Sequence, residues 1–330
     1  MVTIQDVAKA AGVSVATVSR VLNNHPSVSE KTRKKVQKVI EELNYQPNLL
    51  GRNLRRSETK MILVLLQNIA NPFYSKVIKG IEDVGHRNGY YITICNTDSD
   101  PDKENVYLKL LKNRLVDGVI FLAPIISDEE LTEIGKNYSV VQCCEYKELA
   151  EVSSVSIDNE AAAYKATQHL INQGHKRIGM INGISGFISE TLREKGYKRA
   201  LQEAGIQIDP GLIIKESYGY KGGQRAAKYF LSIEKRPTAI FAVSDIIAIG
   251  AIKEIKDNGL SVPDDIAVVG FDDTGIASMY DPPLTTVAQP RYDLGRVAME
   301  IMLERIKNNE AESRRVFLEH NLIIRESTVG

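Results

Sequence analysis

What this sequence lacks narrows its function. No apolar run reaches the ~18 residues needed to cross a bilayer as a helix, and no signal peptide opens the chain, so a cytoplasmic protein with no membrane partner is expected. Cysteine is scarce. Cys95, Cys143 and Cys144 lie in apolar runs without metal-ligand spacing, which reads as buried thiols in a reducing compartment and as no metal site. Neither G-x-G-x-x-G nor G-x-x-x-x-G-K-[ST] follows the first apolar run of the body, and His25, His86, His169, His175 and His320 form no nucleophile or metal set. No catalytic residue and no cofactor is therefore expected, and an enzyme is the least supported class. Net charge is also missing, at +0 for the whole chain, but its distribution is uneven. Residues 1–60 hold eleven Lys/Arg against five Asp/Glu, a charge of +6 that leaves −6 on the remainder. A basic head on an acidic body points to a polyanion partner for the head alone.

At 330 residues and 43% hydrophobic composition, the chain can bury more than one domain. In TIQDVAKAAG, Ile4, Val7, Ala8 and Ala11 fall at i, i+3, i+4 and i+7, the pattern of an amphipathic helix, which stops at Gly12. Ser14 reads as the N-cap of a second helix. Val18, Val21 and Leu22 would turn toward the first helix, while Val15, Ala16, Thr17, Ser19 and Arg20 face away. Two short helices joined through a glycine make a helix-turn-helix. Small outward side chains let a backbone approach base edges closely, and Arg20 can fork onto guanine. A polar loop begins at Asn23, and SVSEKTRKKVQKVIEEL reads as a third helix capped by Ser29. Its Val36, Val39, Ile40 and Leu43 would point inward and its Lys31, Arg33, Lys34 and Lys35 outward, toward phosphates. Pro47 closes this bundle, and residues 48–58, NLLGRNLRRSE, are too few and too charged to hold a helix alone.

Three stretches, IQDVAKAAGVSVATVSRVLN, VSEKTRKKVQKVIEELNYQPN and GRNLRR, stand in the order and spacing of the lac repressor/galactose repressor family, which the whole chain resembles. The resemblance implies a DNA-binding transcriptional regulator that reads a palindromic operator as a homodimer. It implies DNA contacts from Thr3, Ser14, Val15, Ala16, Thr17, Ser19, Arg20 and Asn23, and from a segment at residues 47–59 that becomes helical on DNA. There Leu54 matches the residue that wedges into the minor groove, and Arg55 its basic neighbour. Gly51 departs from the usual Ala and should lower that segment's helicity by roughly 1 kcal/mol.

From residue 61 onward, apolar β-rich runs alternate with helix-period runs: MILVLL, YYITIC, GVIFLA and VVQCC in a first set, then SVSID, RIGMI, residues 212–215, AIFAV and IAVVGF in a second. Such alternation gives doubly wound parallel sheets in two lobes, and the resemblance implies the periplasmic-binding-protein type. The expected division is a helix-turn-helix head at 1–46, a linker at 47–59 and a body at 60–330. Within the body, one lobe takes 60–159 and 291–319, and the other takes 160–290 and 320–330. The helix at 291–309 returns to the first lobe by resemblance, and the strand around LIIRES belongs to the second.

Doubly wound sheets bind ligands beyond the carboxyl ends of their strands. That rule points to Gln67 through Tyr74, Glu145 and Tyr146, the loop before Arg193, Tyr218, Ser244 and Asp245, and Asp272. Asp245 also reads as the N-cap of the helix that follows it. The family match assigns Arg193 and Asp272 as effector-binding, with Phe73, Tyr74, Glu145, Tyr146, Tyr218 and Ser244 at other ligand-facing positions. Arg and Asp together present forked donors and acceptors to neighbouring hydroxyls, and aromatic faces hold a flat ring. GRNLRR, ILVLL, NPFYSKVIKGIE, DPPLTTVAQPRYDLGR and LIIRESTVG are most similar to the cytidine repressor branch, which implies a nucleoside effector; a free sugar would use the same diol clamp. Without trailing Leu heptads, a dimer is expected over a tetramer. The competing reading is a solute-binding protein of a transport system, which accounts for the body but leaves the basic head unused.

Overall fold

The structure, a computed structural model, describes residues 2–45, 58–308 and 312–329. The chain divides into two compact units at Thr59 and Lys60. Pro47, Gly51, Leu54 and Arg55, on which the expected DNA-induced helix of the linker rests, lie outside the described residues.

The head holds three helices: α1 (Ile4–Ala11), α2 (Val15–Leu22) and α3 (Glu30–Glu42). Each begins at a hydroxyl cap. Thr3 and Asp6 form a reciprocal capping box, Ser14 accepts from the Thr17 amide at 3.1 Å, and Ser29 accepts from the Thr32 amide at 3.3 Å. Gly12 ends α1 at φ +61°, a left-handed conformation that glycine takes without a Cβ penalty. Val7, Ala8, Ala11, Val18, Val21, Val36 and Tyr45 form the core. Leu22, Val39, Ile40 and Leu43 pack around that core, as their spacing requires. Arg33 departs from its expected outward role. Its Nη1 donates to Asn24 Oδ1 and its Nη2 to the carbonyl of His25, both at 3.0 Å, so the guanidinium ties the loop after α2 to α3. Sequence spacing placed Arg33 beside Lys34, but the loop's polar groups claim its fork, which no lysine could supply bidentately.

The body carries two six-stranded sheets. In chain order come β1 (Met61–Leu66), α4 (Phe73–Arg87), β2 (Tyr91–Asn96), α5 (Pro101–Lys112), β3 (Gly118–Phe121), α6 (Asp128–Asn137), β4 (Ser139–Cys143) and β5 (Ser153–Ile157). Then follow α7 (Asn159–Asn172), β6 (Ile178–Gly183), α8 (Ile188–Glu203), β7 (Ile213–Glu216), α9 (Tyr220–Ser232), β8 (Ala239–Ala242), α10 (Asp245–Asp257) and β9 (Ala267–Asp272). The last pieces are α11 (Gly275–Met279), β10 (Thr285–Ala288), α12 (Arg291–Lys307), β11 (Arg315–Leu318) and β12 (Asn321–Ile323). The first sheet runs β11-β5-β4-β3-β1-β2 and is parallel throughout. The second runs β12-β10-β9-β8-β6-β7 and is parallel except for β12, which pairs antiparallel to β10. Helices cover the sheets, which is why β3, β4, β6, β8 and β9 are buried along their whole length and read as continuous apolar runs.

Two sequence assignments change. SVSID, expected at the head of the second set though inside the first lobe's 60–159, is β5 and pairs with β4 in the first sheet. The strands β10 and β11 had no counterpart in the reading, because each is four residues long and β10 is flanked by Pro282, Pro283 and Pro290. The chain passes between lobes three times, at residues 157–159, 288–291 and 318–321. After the second passage α12 packs against α4, backbone against backbone. A Cβ on Gly295 would lie 1.9 Å from the Val77 carbonyl oxygen, and one on Gly80 would lie 2.1 Å from that of Tyr292.

Candidate ligand cleft and reading helix

A cleft of about 210 Å³ lies between the lobes at the carboxyl ends of their strands. From the first lobe come Gln67 and Asn68 after β1, Phe73 and Tyr74 at the start of α4, and Cys144 and Glu145 after β4. The β1–α4 loop is bent back by two local hydrogen bonds, Ala70 N to Asn68 Oδ1 at 2.9 Å and Phe73 N to Asn71 Oδ1 at 3.0 Å. The second lobe contributes Asn159, Phe187, Ser189, Arg193, Tyr218, Ile246 and Asp272, and Gln289 comes from the passage between lobes.

Arg193 anchors this arrangement. Its Nε donates to Asn159 Oδ1 at 2.9 Å and its Nη1 to the carbonyl of Val243 at 2.7 Å, and the guanidinium stacks 3.7 Å from the centre of the Phe271 ring. Tyr218 Oη accepts from Nη1 at 3.4 Å and donates to the same carbonyl at 3.3 Å. Asp272 ends β9 at φ +112°, a strained value for a non-glycine residue, and accepts from Gln289 Nε2 at 2.7 Å. Burial pushes the Asp272 carboxyl up to about 8, with Arg193 pulling it down and Asp245 raising it further. Glu145 is also raised, by burial first, against the opposing pull of Arg193 and Ser189. Its carboxylate crosses the cleft and accepts from the Ser189 amide at 3.2 Å and from the Ser189 hydroxyl.

Of the expected ligand-facing residues, the cleft brings together Phe73, Tyr74, Glu145, Arg193, Tyr218 and Asp272. Tyr146 and Ser244 are elsewhere. Tyr146 packs edge-on to Phe317 at 6.1 Å beneath the Arg315 guanidinium, and Ser244 is buried as the N-cap of α10. Asp245, read as that cap, is instead the first residue of the helix, and its carboxylate accepts from Thr274 and Thr286. Asn159 and Gln289 were missed. Gln289 directly follows β10 and Asn159 lies two residues beyond the end of β5, so the strand-end rule, applied to these strands, points to both.

On the head, Val15, Ala16 and Arg20 are exposed along α2, and Thr17 and Ser19 are partly so. The hydroxyls of Thr3 and Ser14 serve as caps, and the Asn23 side-chain amide donates to the Ser19 carbonyl at 2.7 Å. The five outward residues therefore share one face, opposite Val18 and Val21, with no larger side chain among them than Arg20.

A helix-turn-helix head with a bare face of small residues and a body of two doubly wound lobes around a polar cleft are together the parts of a DNA-binding transcriptional regulator. The chain belongs to the family described as "Bacterial regulatory proteins, lacI family", whose model matches residues 3–48, while a "Periplasmic binding protein-like domain" matches 167–328. It is 42% identical over 329 residues to the HTH-type transcriptional regulator RegA of Clostridium saccharobutylicum, covering 99% of both chains. It is 38% identical over 327 residues to the HTH-type transcriptional repressor CytR of Escherichia coli (strain K12), covering 99% of this chain and 96% of the relative. Among solved structures, the lac repressor dimer bound to operator and the anti-inducer ONPF matches with a TM-score of 0.90 at 28% identity, over 100% of this chain and 99% of that one. Among the described residues, no helix is long and apolar enough to cross a membrane.

Proposed function

We propose that this regulator is a repressor that binds a palindromic operator as a homodimer in the cytoplasm, its affinity set by an unmodified nucleoside in the cleft between its lobes. One observation carries the reading: Arg193, Asp272 and the aromatic rings of Phe73, Tyr74 and Tyr218 converge on one cleft whose two walls belong to different lobes. A ribose diol suits the guanidinium and carboxyl pair, and a base suits the rings. A sugar would engage the same pair without using the rings as fully. Because the walls move with the lobes, a ligand that prefers one lobe angle shifts the population toward it, and only by as much as that preference. Lobe angle would set whether two linkers, at residues 47–59, can pair and place Leu54 and Arg55 on DNA. Each head covers one half-site, so operator recognition calls for two copies. Exposed apolar side chains support such pairing, Tyr91 on the edge strand β2 and Met279 on α11 among them.

A transport role is not proposed, since its relatives are regulators and the basic head would have no task. The test is fluorescence anisotropy of the full chain on its operator, titrated with nucleosides, purine bases and common sugars. A nucleoside should change operator affinity at least about fivefold, the low end of typical coupling between sites. No change with any compound would refute control through the cleft.

A further inference from the structure

The charges around the cleft do not favour an anion. Among the described residues lining it, Arg193 is the one cation, facing the two carboxyl groups of Glu145 and Asp272. Its Nε and Nη1 are already engaged, by Asn159 at 2.9 Å and by the Val243 carbonyl at 2.7 Å. Burial raises both carboxyls, and at Glu145 the Arg193 charge and the Ser189 hydrogen bonds oppose that rise. Ionised or not, Asp272 gives the cleft no surplus of positive charge, because Glu145 stands against Arg193. The Glu145 carboxylate is held in place across the cleft by the amide and hydroxyl of Ser189, near the start of α8. The donors that could have received an anion at this end of the cleft are therefore occupied by one that belongs to the chain.

A phosphate monoester would bring a charge of about −1.5 to −2 into a site walled by Phe73, Tyr74 and Phe187. There ions screen poorly, and like charges repel strongly. Resting on the reading of the cleft as the effector site, we infer that Glu145 is its charge-selecting residue: the cleft takes unphosphorylated nucleosides or sugars and rejects their phosphate esters. The same carboxylate accepts hydrogen bonds, so it rewards the hydroxyl or amino group that a phosphate would replace.

Isothermal titration of the full chain with cytidine, cytidine 5′-monophosphate, ribose and ribose 5-phosphate tests this. Inorganic phosphate at matched concentration subtracts any binding by the basic head. Each ester is expected to bind the wild-type chain at least about 100-fold more weakly than its parent, the scale of a like-charge contact. Glu145→Gln, which keeps the shape and removes the charge, should bind an ester at least about tenfold more tightly than the wild type does. Glu145→Ala provides the same comparison should the Gln variant fail to fold. An ester that binds the wild type as tightly as its parent overturns the inference, as do Glu145 variants no better at binding esters than the wild type. If instead no neutral compound alters operator affinity, the cleft fails as an effector site, and the ester comparison between wild type and variants still decides charge selection.

Discussion

Replacing Arg193 by Ala should cost the body far more than a ligand contact. The side chain is 5% exposed and spans two second-lobe elements, so truncation removes a charged donor from Asn159 Oδ1 and from the Val243 carbonyl, and removes the stack on Phe271. Hydrogen bonds from charged donors contribute about 1.5–3 kcal/mol each. A desolvated cation over an aromatic face adds about 2 kcal/mol. Val243 keeps its bond from Tyr218, which softens one of the two losses. The total is roughly 4–6 kcal/mol against the 5–15 kcal/mol that holds a typical domain. Calorimetry should show the melting temperature of the larger, body transition falling by on the order of 10 °C. Arg193→Lys keeps the charge without the fork and should recover only part of the loss. A body transition that shifts by less than about 2 °C in the Ala variant would show that the guanidinium is not structural, and the hydrogen bonds around it would have to be reassigned.

Three further outcomes are expected. Arg33→Ala should loosen the loop after α2 and lower the stability of the head by about 1–2 kcal/mol, seen as loss of amide protection at residues 23–28 while α1 is less affected. Arg20→Ala should weaken operator binding by about 10- to 100-fold and binding to random duplex much less, measured by anisotropy at fixed salt; equal losses on both would deny α2 a reading role. The third concerns pH. Asp272 is raised to about 8 in the folded chain, so it holds a proton that the unfolded chain has released above its ordinary value near 3.8. The folded state then binds more protons, and its stability falls as pH rises toward 8, by about 1.4 kcal/mol per unit. His169, His175 and His320 are depressed, so they act only on the acid side of their ordinary value, while Asp245, Glu145 and Glu104, raised by burial, add to the slope with the same sign as Asp272. Asp272→Asn should flatten that slope in thermal melts, and an unchanged slope would assign it elsewhere.

Much of this was legible in the sequence, for reasons that differ by element. The head was readable because local chemistry decides it: hydroxyl caps at Ser14 and Ser29, a glycine at position 12, and apolar spacing that matches the buried Val7, Ala8, Ala11, Val18, Val21 and Val36. Parallel strands were readable because burial on both faces leaves unbroken apolar runs. The strand β10 was not, since four residues between prolines carry no periodicity, and Gln289 was lost with it. Ser244 caps the Ile247 amide three residues on, a local role expected instead at Asp245, whereas Arg33 and Tyr146 take their directions from partners farther along the chain: Asn24 and His25 across the loop, and Phe317 on β11. No local pattern encodes such choices.

The three passages at residues 157–159, 288–291 and 318–321 constrain how the body can move. A single tether would let one lobe swivel freely about the other, whereas three short ones, from separate parts of the chain, restrict the relative movement of the lobes. Each passage has only a few backbone torsions to spend. The glycine seam between α4 and α12 keeps the chain just beyond the second passage fastened to its own lobe. Any change in the angle between the lobes would have to be taken up by these three short passages together.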